Sequence, residues 1–153
     1  MQTQIKPIPE GYHSLTPYLM VPNASQAIDF YEKAFGATEI FRISATNGKV
    51  QHCELRIGDS IVMLADELPN TSVTNPVTGA RPFSLLLYVE DVDAAFKKAT
   101  EAGAKVLRPL KNEFFGDRMG TLQDPFGNNW HFASHIEDVS PEEMEKRSKQ
   151  ILS

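Results

Sequence analysis

A single cysteine, Cys53, is all that this chain carries. No disulfide can form within it, and a reducing compartment is expected. Long apolar runs are missing too: no stretch approaches the roughly 18 residues that a membrane helix needs. Nor is there an excess of basic residues. Fifteen Lys and Arg stand against twenty Asp and Glu, a formal net charge of −5. No basic stripe with interleaved aromatics occurs, which argues against a nucleic-acid partner. A glycine-rich phosphate loop and a dinucleotide fingerprint are both absent, which argues against nucleotide- or S-adenosylmethionine-dependent chemistry. The start, MQTQIKPIPEGY, is polar and proline-rich and lacks the apolar core of a signal peptide, so a cytoplasmic protein is expected.

What the chain does have is one pattern written twice. Leu15 to Arg42 reads as strand, helix, glycine stop and strand, and Phe83 to Leu110 reads the same way. Val21 aligns with Val89 and Thr16 with Ser84 at one constant offset. Each half continues into a second β segment punctuated by glycine: HCELRIGDSIVML in the first and GTLQDPFGNNWHF in the second. At 153 residues the whole buries roughly 70% of its unfolded surface, enough for a real core.

The local signals are clear in each copy. Asn23 caps a helix whose apolar positions Ala24, Ala27, Ile28, Tyr31, Ala34 and Phe35 fall on one face, and Gly36 ends it. Glu39 to Ser44, Gln51 to Ile57 and Ile61 to Ala65 read as strands, joined by turns at Thr46-Asn47-Gly48 and Gly58-Asp59. In the second copy Asp91 caps a helix that buries Val92, Ala95, Phe96, Ala99 and Ala102 and stops at Gly103. A strand interrupted by Gly116 follows, then a turn at Asp124-Pro125-Phe126-Gly127 and a last strand from Asn129 to Ser134. Residues 66–82, with Pro69, Pro76 and Pro82, form a long polar connection, read as a linker or as a lid over a site. Ser140-Pro141-Glu142-Glu143 is a capping box opening a polar C-terminal helix. With only Met144 and Ile151 to bury, that helix is expected to pack on a neighbour or to fray.

The expected architecture is α+β. It consists of two βαβββ modules, about 13–67 and 83–137, forming a cupped, mixed, eight-stranded sheet as one domain over residues 1–137. Residues 138–153 then form a helical extension. Alternate strand residues would point into the hollow between the copies.

Several of these stretches resemble the vicinal oxygen chelate superfamily, the glyoxalase, bleomycin-resistance and extradiol dioxygenase fold, and within it the PhnB-like branch. The residues that carry the match are Ala27–Ala37 (AIDFYEKAFGA), Tyr88–Ala94 (YVEDVDA), Gly58–Leu64 (GDSIVML), Gly116–Gly120 (GDRMG) and Asp124–Trp130 (DPFGNNW). The resemblance implies paired modules, a cupped sheet and a homodimer, but no single reaction, since the fold hosts many. It also implies four positions at which metal-dependent relatives hold a divalent ion. Here they are Thr16, Met63, Ser84 and His131. Hydroxyls and a thioether are poor partners for Zn, Ni, Fe or Mn, which need imidazole, carboxylate or thiolate. A protein without the family metal and without a cofactor is therefore expected.

Other side chains could carry chemistry. The strand Gln51 to Ile57 alternates, with Cys53, Leu55 and Ile57 apolar and His52, Glu54 and Arg56 on the other face. In the repeat, His52 aligns with Thr121 and Glu54 with Gln123. His52 and Glu54, if inward, would join His131 as an acid/base group or a nonstandard metal site. The alternative is a solvated face with a Glu–Arg pair. Tyr18 and Tyr88 share the faces of Thr16 and Ser84 and would line a cavity for a small, partly apolar ligand, or simply fill the core. Phe114, Phe115 and Arg118 would stack a planar ligand and bind its anionic group. Their other reading is a bulged strand with an Asp117–Arg118 contact, or a dimer seam. His13 reads as a surface residue and Cys53 as an inert core residue.

Two functions follow. In the first, a small-molecule-binding protein holds its ligand with Thr16, Tyr18, Met63, Ser84, Tyr88, Phe115, Arg118 and His131, as drug-sequestering relatives do. In the second, an enzyme of lyase, isomerase or hydrolase type works through His131 with His52 and Glu54.

Overall fold

The computed structural model describes residue 5, residues 7–67 and residues 83–152. The chain divides into two compact units, Met1–Val73 and Thr74–Ser153. Each contains a helix and a four-stranded mixed sheet, and the element order repeats.

In the first unit, β1 (Tyr18–Val21) leads into α1 (Ala24–Phe35), followed by β2 (Thr38–Ser44), β3 (Val50–Ile57) and β4 (Ser60–Asp66). The sheet order is β1-β4-β3-β2. β1 runs parallel to β4, and the other pairs are antiparallel. β1 begins three residues later than the apolar pattern implies. Pro17 has no N–H to give the ladder, although its carbonyl accepts from Met63 N at 2.9 Å.

α1 forms where the caps allow it. The Asn23 side chain accepts the N–H of Gln26 at 3.2 Å. At the other end Gly36 takes the left-handed conformation with φ 67°, which costs glycine nothing. The helix lies on all four strands. Ile28 and Tyr31 on its inner face, and Leu55 and Leu64 on the sheet, are fully buried. Each such side chain contributes roughly 1.5–3 kcal/mol.

The second unit repeats this plan with β5 (Leu85–Tyr88), α2 (Val92–Glu101), β6 (Lys105–Asn112), β7 (Asp117–Gln123), β8 (Asn129–His135) and α3 (Pro141–Leu152). Its sheet order is β5-β8-β7-β6. Asp91 caps α2 through Ala94 N at 3.0 Å. α2 packs on β6, β7 and β8, and Gly120 makes the packing possible. A Cβ there would come within 2.6 Å of the Phe96 ring.

Three expectations are corrected. Asp66 is not the start of a linker. It is the last residue of β4 and is buried, with Oδ1 accepting from Ala24 N at 2.9 Å and Oδ2 from Val50 N at 2.7 Å. It thus ties the helix start to the hairpin that opens β3. The rest of the expected connection, with Pro69, Pro76 and Pro82, lies outside the described residues. Second, Gly116 does not interrupt a strand; it precedes β7, with φ 99°. Third, α3 has polar contacts to its own unit that its apolar pattern did not announce. Arg147 reaches Glu137 through both terminal nitrogens at 3.0 and 2.8 Å, and the Phe114 carbonyl at 3.2 Å, so the helix docks on its own unit by charge.

Candidate functional site

In β3 the alternation buries Cys53 and Leu55 and turns His52 and Glu54 to the face away from α1. Glu54 stands opposite Met63, and Met63 opposite Tyr18 of β1. The side chains close into a chain of hydrogen bonds. The Tyr12 hydroxyl donates to Glu54 Oε2. His52 Nε2 lies 3.0 Å from Glu54 Oε1, and Tyr18 Oη lies 2.9 Å from His52 Nδ1. An ionised carboxylate only accepts, so Nε2–H of His52 donates to Glu54. The Tyr12 bond, and after it the His52 bond, hold the Glu54 carboxyl below its usual range. Burial, and then the Glu54 charge, push the Tyr18 phenol up. The Tyr18 ring lies 5.6 Å from that of His52, and the Phe41 ring lies 6.2 Å away from it.

Tyr18 also lines a cavity of about 430 Å³ within this unit, in the size range of small-molecule sites. Met20, Val50 and Ala65 supply apolar wall, and Asn47 and Lys49 supply polar groups. Asp66 borders it too, but both its oxygens are engaged by backbone N–H groups.

The second unit holds two further constellations. His131 lies between hydroxyls, with Nε2 3.0 Å from Ser84 Oγ and Nδ1 2.8 Å from Thr121 Oγ1. Farther along the same face of β8, His135 Nδ1 meets Asp117 Oδ1 at 2.8 Å and its Nε2 meets Asp138 Oδ1 at 2.8 Å. Asp117 Oδ2 accepts the Tyr88 hydroxyl at 2.7 Å. A carboxylate at each nitrogen favours the imidazolium form: Asp117, then Asp138, raise the His135 pKa above the ordinary 6.5.

The four positions of the family metal do not fit an ion. They offer the hydroxyls of Thr16 and Ser84, the thioether of Met63 and one imidazole, and both nitrogens of His131 are already taken. Among the described residues, no group of three or more His, Cys, Asp or Glu is placed to hold a metal.

The expected site residues fall in both units. His52, Glu54, Tyr18 and Met63 come together in the first unit, with Thr16 half-buried just before β1. Ser84 and His131 meet in the second unit, and Tyr88 engages Asp117 instead. Arg118 has partners of its own. It lies on the helix side, with Nε and Nη2 each 2.9 Å from Asp93 and Nη1 3.1 Å from Asn112. The expected Asp117–Arg118 contact is replaced by these pairs. Phe115 packs edge-on against Phe114, with centroids 5.3 Å apart. His13 is exposed and Cys53 fully buried. The repeat alignment of His52 with Thr121 also shifts. Thr121 stands opposite His131 just as Glu54 stands opposite Met63, because the turn after β7 is longer than the one after β3.

Tyr12, Asp117, His135 and Asp138 were not legible as partners. The period of two along β8, which places His131 and His135 on one face, was the available signal for His135. Tyr12 precedes any regular element and gave none.

The sequence model described as Glyoxalase/Bleomycin resistance protein/Dioxygenase superfamily matches residues 12–132. An uncharacterized protein of Mycobacterium bovis is 40% identical over 136 residues, 86% of this chain and 90% of its own. The X-ray structure of an Arabidopsis thaliana gene product is 31% identical with a TM-score of 0.63, covering 80% of this chain and 98% of that one. The PhnB protein from Bacillus cereus, at 22% identity and a TM-score of 0.64, covers 80% and 99% and shares the fold.

Proposed function

Because the chain belongs to the glyoxalase/bleomycin resistance protein/dioxygenase superfamily, we propose that it binds a small, partly apolar organic molecule without the metal that other members use. The observation that carries this reading is the double role of Tyr18. It lines the cavity of about 430 Å³, and its hydroxyl is tied at 2.9 Å to His52, whose far nitrogen meets Glu54. An apolar wall with a few fixed polar groups is what orients a small ligand. The donor chemistry at Thr16, Met63, Ser84 and His131 supports the metal-free part. The reading also includes a cytoplasmic homodimer, which sedimentation velocity checks for its oligomeric half.

A second reading is acid/base catalysis. The 3.0 Å contact between His52 and Glu54 favours it, since a carboxylate behind an imidazole raises its basicity. His131, the third member of this version, has the hydroxyls of Ser84 and Thr121 at its two nitrogens.

Metal analysis of the purified protein with a thermal-shift screen of small aromatic compounds tests the proposal. The expected result is no stoichiometric divalent ion and a melting point raised by at least one compound in proportion to its occupancy. Stoichiometric Ni, Zn, Fe or Mn would overturn the metal-free part, and a full aromatic screen without a shift would overturn the binding part.

A further inference from the structure

His135 ends β8, and its ring stands between two carboxylates in unlike settings. Nδ1 meets Asp117 Oδ1 at 2.8 Å and Nε2 meets Asp138 Oδ1 at 2.8 Å. The Asp117 side chain, at the start of β7, is 6% exposed, whereas that of Asp138 is fully exposed. The second Asp117 oxygen accepts the Tyr88 hydroxyl of β5 at 2.7 Å. Among the described residues, Asp117 and Asp138 are the charges that act on the ring. The neighbouring charges have partners of their own: Arg118 on Asp93, Glu137 on Arg147, and Glu113 beside Arg108 and Lys111. His131, earlier on the same face of β8, lies between Ser84 and Thr121.

Asp138 belongs to the turn that leads into α3. The backbone before it is fixed, with Ile136 and Glu137 N–H both on the Gly116 carbonyl at 2.9 and 3.0 Å. The backbone after it is fixed by Ser140, whose Oγ accepts Glu143 N at 3.2 Å and whose carbonyl accepts Met144 N at 2.8 Å. Between these anchors the Asp138 side chain reaches His135. An imidazolium donates from both nitrogens and holds both carboxylates. A neutral imidazole has one N–H and leaves one carboxylate facing a lone pair. Burial decides which one. Asp117 has little water to turn to and also carries the Tyr88 bond, so it keeps the proton on Nδ1. Asp138 turns to solvent at little cost. We infer that His135 is a proton-operated latch: charged, it fixes the turn 138–140 at the head of α3; neutral, it releases Asp138 and frees that turn while Asp117 and Tyr88 stay in place. The release is local, because Arg147 still ties α3 to Glu137 and to the Phe114 carbonyl. The latch is closed below the ordinary 6.5 and opens as pH rises through the higher folded value.

The test is an NMR titration of the full-length protein that follows the His135 ring protons and the Val139 methyl groups together. Val139 reports on the turn because it packs beside Gly116, with Cγ2 3.1 Å from where a Cβ on that glycine would lie. Methyl signals, unlike amide signals, survive at high pH. Between about pH 5 and about pH 9 the Val139 methyls should lose their packed shifts, with the same midpoint as His135. In Asp138→Asn the histidine should still titrate while Val139 holds its shifts. An amide meets Nε2 in either state, turning its oxygen or its nitrogen to the ring. In His135→Gln the Val139 methyls should hold their shifts as well. Either variant decides the matter alone if the other fails to fold by circular dichroism. Val139 methyls that stay constant in the parent protein, that follow a midpoint other than that of His135, or that still move in a folded variant would overturn the latch.

Discussion

Asp66 and Val50 are joined at 2.7 Å by a bond from the backbone N–H of the first residue of β3 to a buried carboxylate oxygen. The other oxygen of Asp66 holds the first turn of α1 at 2.9 Å. Asp66→Ala leaves two buried N–H groups without partners and is expected to cost about 2–4 kcal/mol. Urea denaturation of the two proteins side by side checks this; a difference under about 0.5 kcal/mol would mean that the pin carries no load.

Gly116 sits where no side chain fits. Its φ is 99°, and a Cβ would lie 2.1 Å from the Glu137 carbonyl oxygen. The Gly116 carbonyl accepts from both Ile136 and Glu137 N–H at 2.9 and 3.0 Å. Gly116→Ala should cost about 1–3 kcal/mol through backbone strain and should speed hydrogen exchange in 136–140 before the rest of the unit. Uniform exchange rates in both proteins would count against this.

The pH response of stability should carry the mark of His135. Its folded pKa is raised above the ordinary 6.5 by Asp117 and then Asp138. The protonated form is therefore favoured by folding. That stabilisation is fully present below the unfolded value and fades as pH climbs through the higher folded value. The urea midpoint should fall as pH climbs above the ordinary histidine value of 6.5, and His135→Gln should flatten the fall. A wild-type midpoint that rises over that window would contradict the two-carboxylate clasp.

Cys53 should be chemically silent. It is fully buried, and burial, with a smaller push from Glu39, raises its thiol to about 11. A thiolate is the reactive form. Ellman's reagent at pH 8 should label it only in denaturant, at the rate of unfolding; fast labelling of the native protein would place the side chain elsewhere.

Much of the fold was legible because its signals are local. Asn23 and Asp91 announce helix starts by side-chain chemistry, Gly36 announces a stop by its freedom at positive φ, and the alternation in Gln51 to Ile57 sorts Cys53 from His52. The duplicated pattern then fixed the repeated topology. The site was legible only as faces. That His52 would meet Glu54 follows from two residues on one side of one strand. That Tyr12 would reach Glu54 from outside any element, or that Arg118 would turn to Asp93 on a helix, depends on tertiary packing that no period records. Asp124 shows the same limit. Its carboxylate takes N–H groups of Phe126 and Asn128 at 2.9 Å and the Trp130 indole at 3.0 Å, so the DPFGNNW motif is held together by a buried aspartate rather than by its turn residues alone.

The most direct test of the account is a backbone-amide NMR titration of the full-length protein with 4-nitroanisole. Shifts clustered at Tyr18, Met20, Ala45, Lys49 and Ala65 are the predicted result, with His52 following as Tyr18 moves. Shifts confined to residues 83–152, or none at saturating compound, would contradict it.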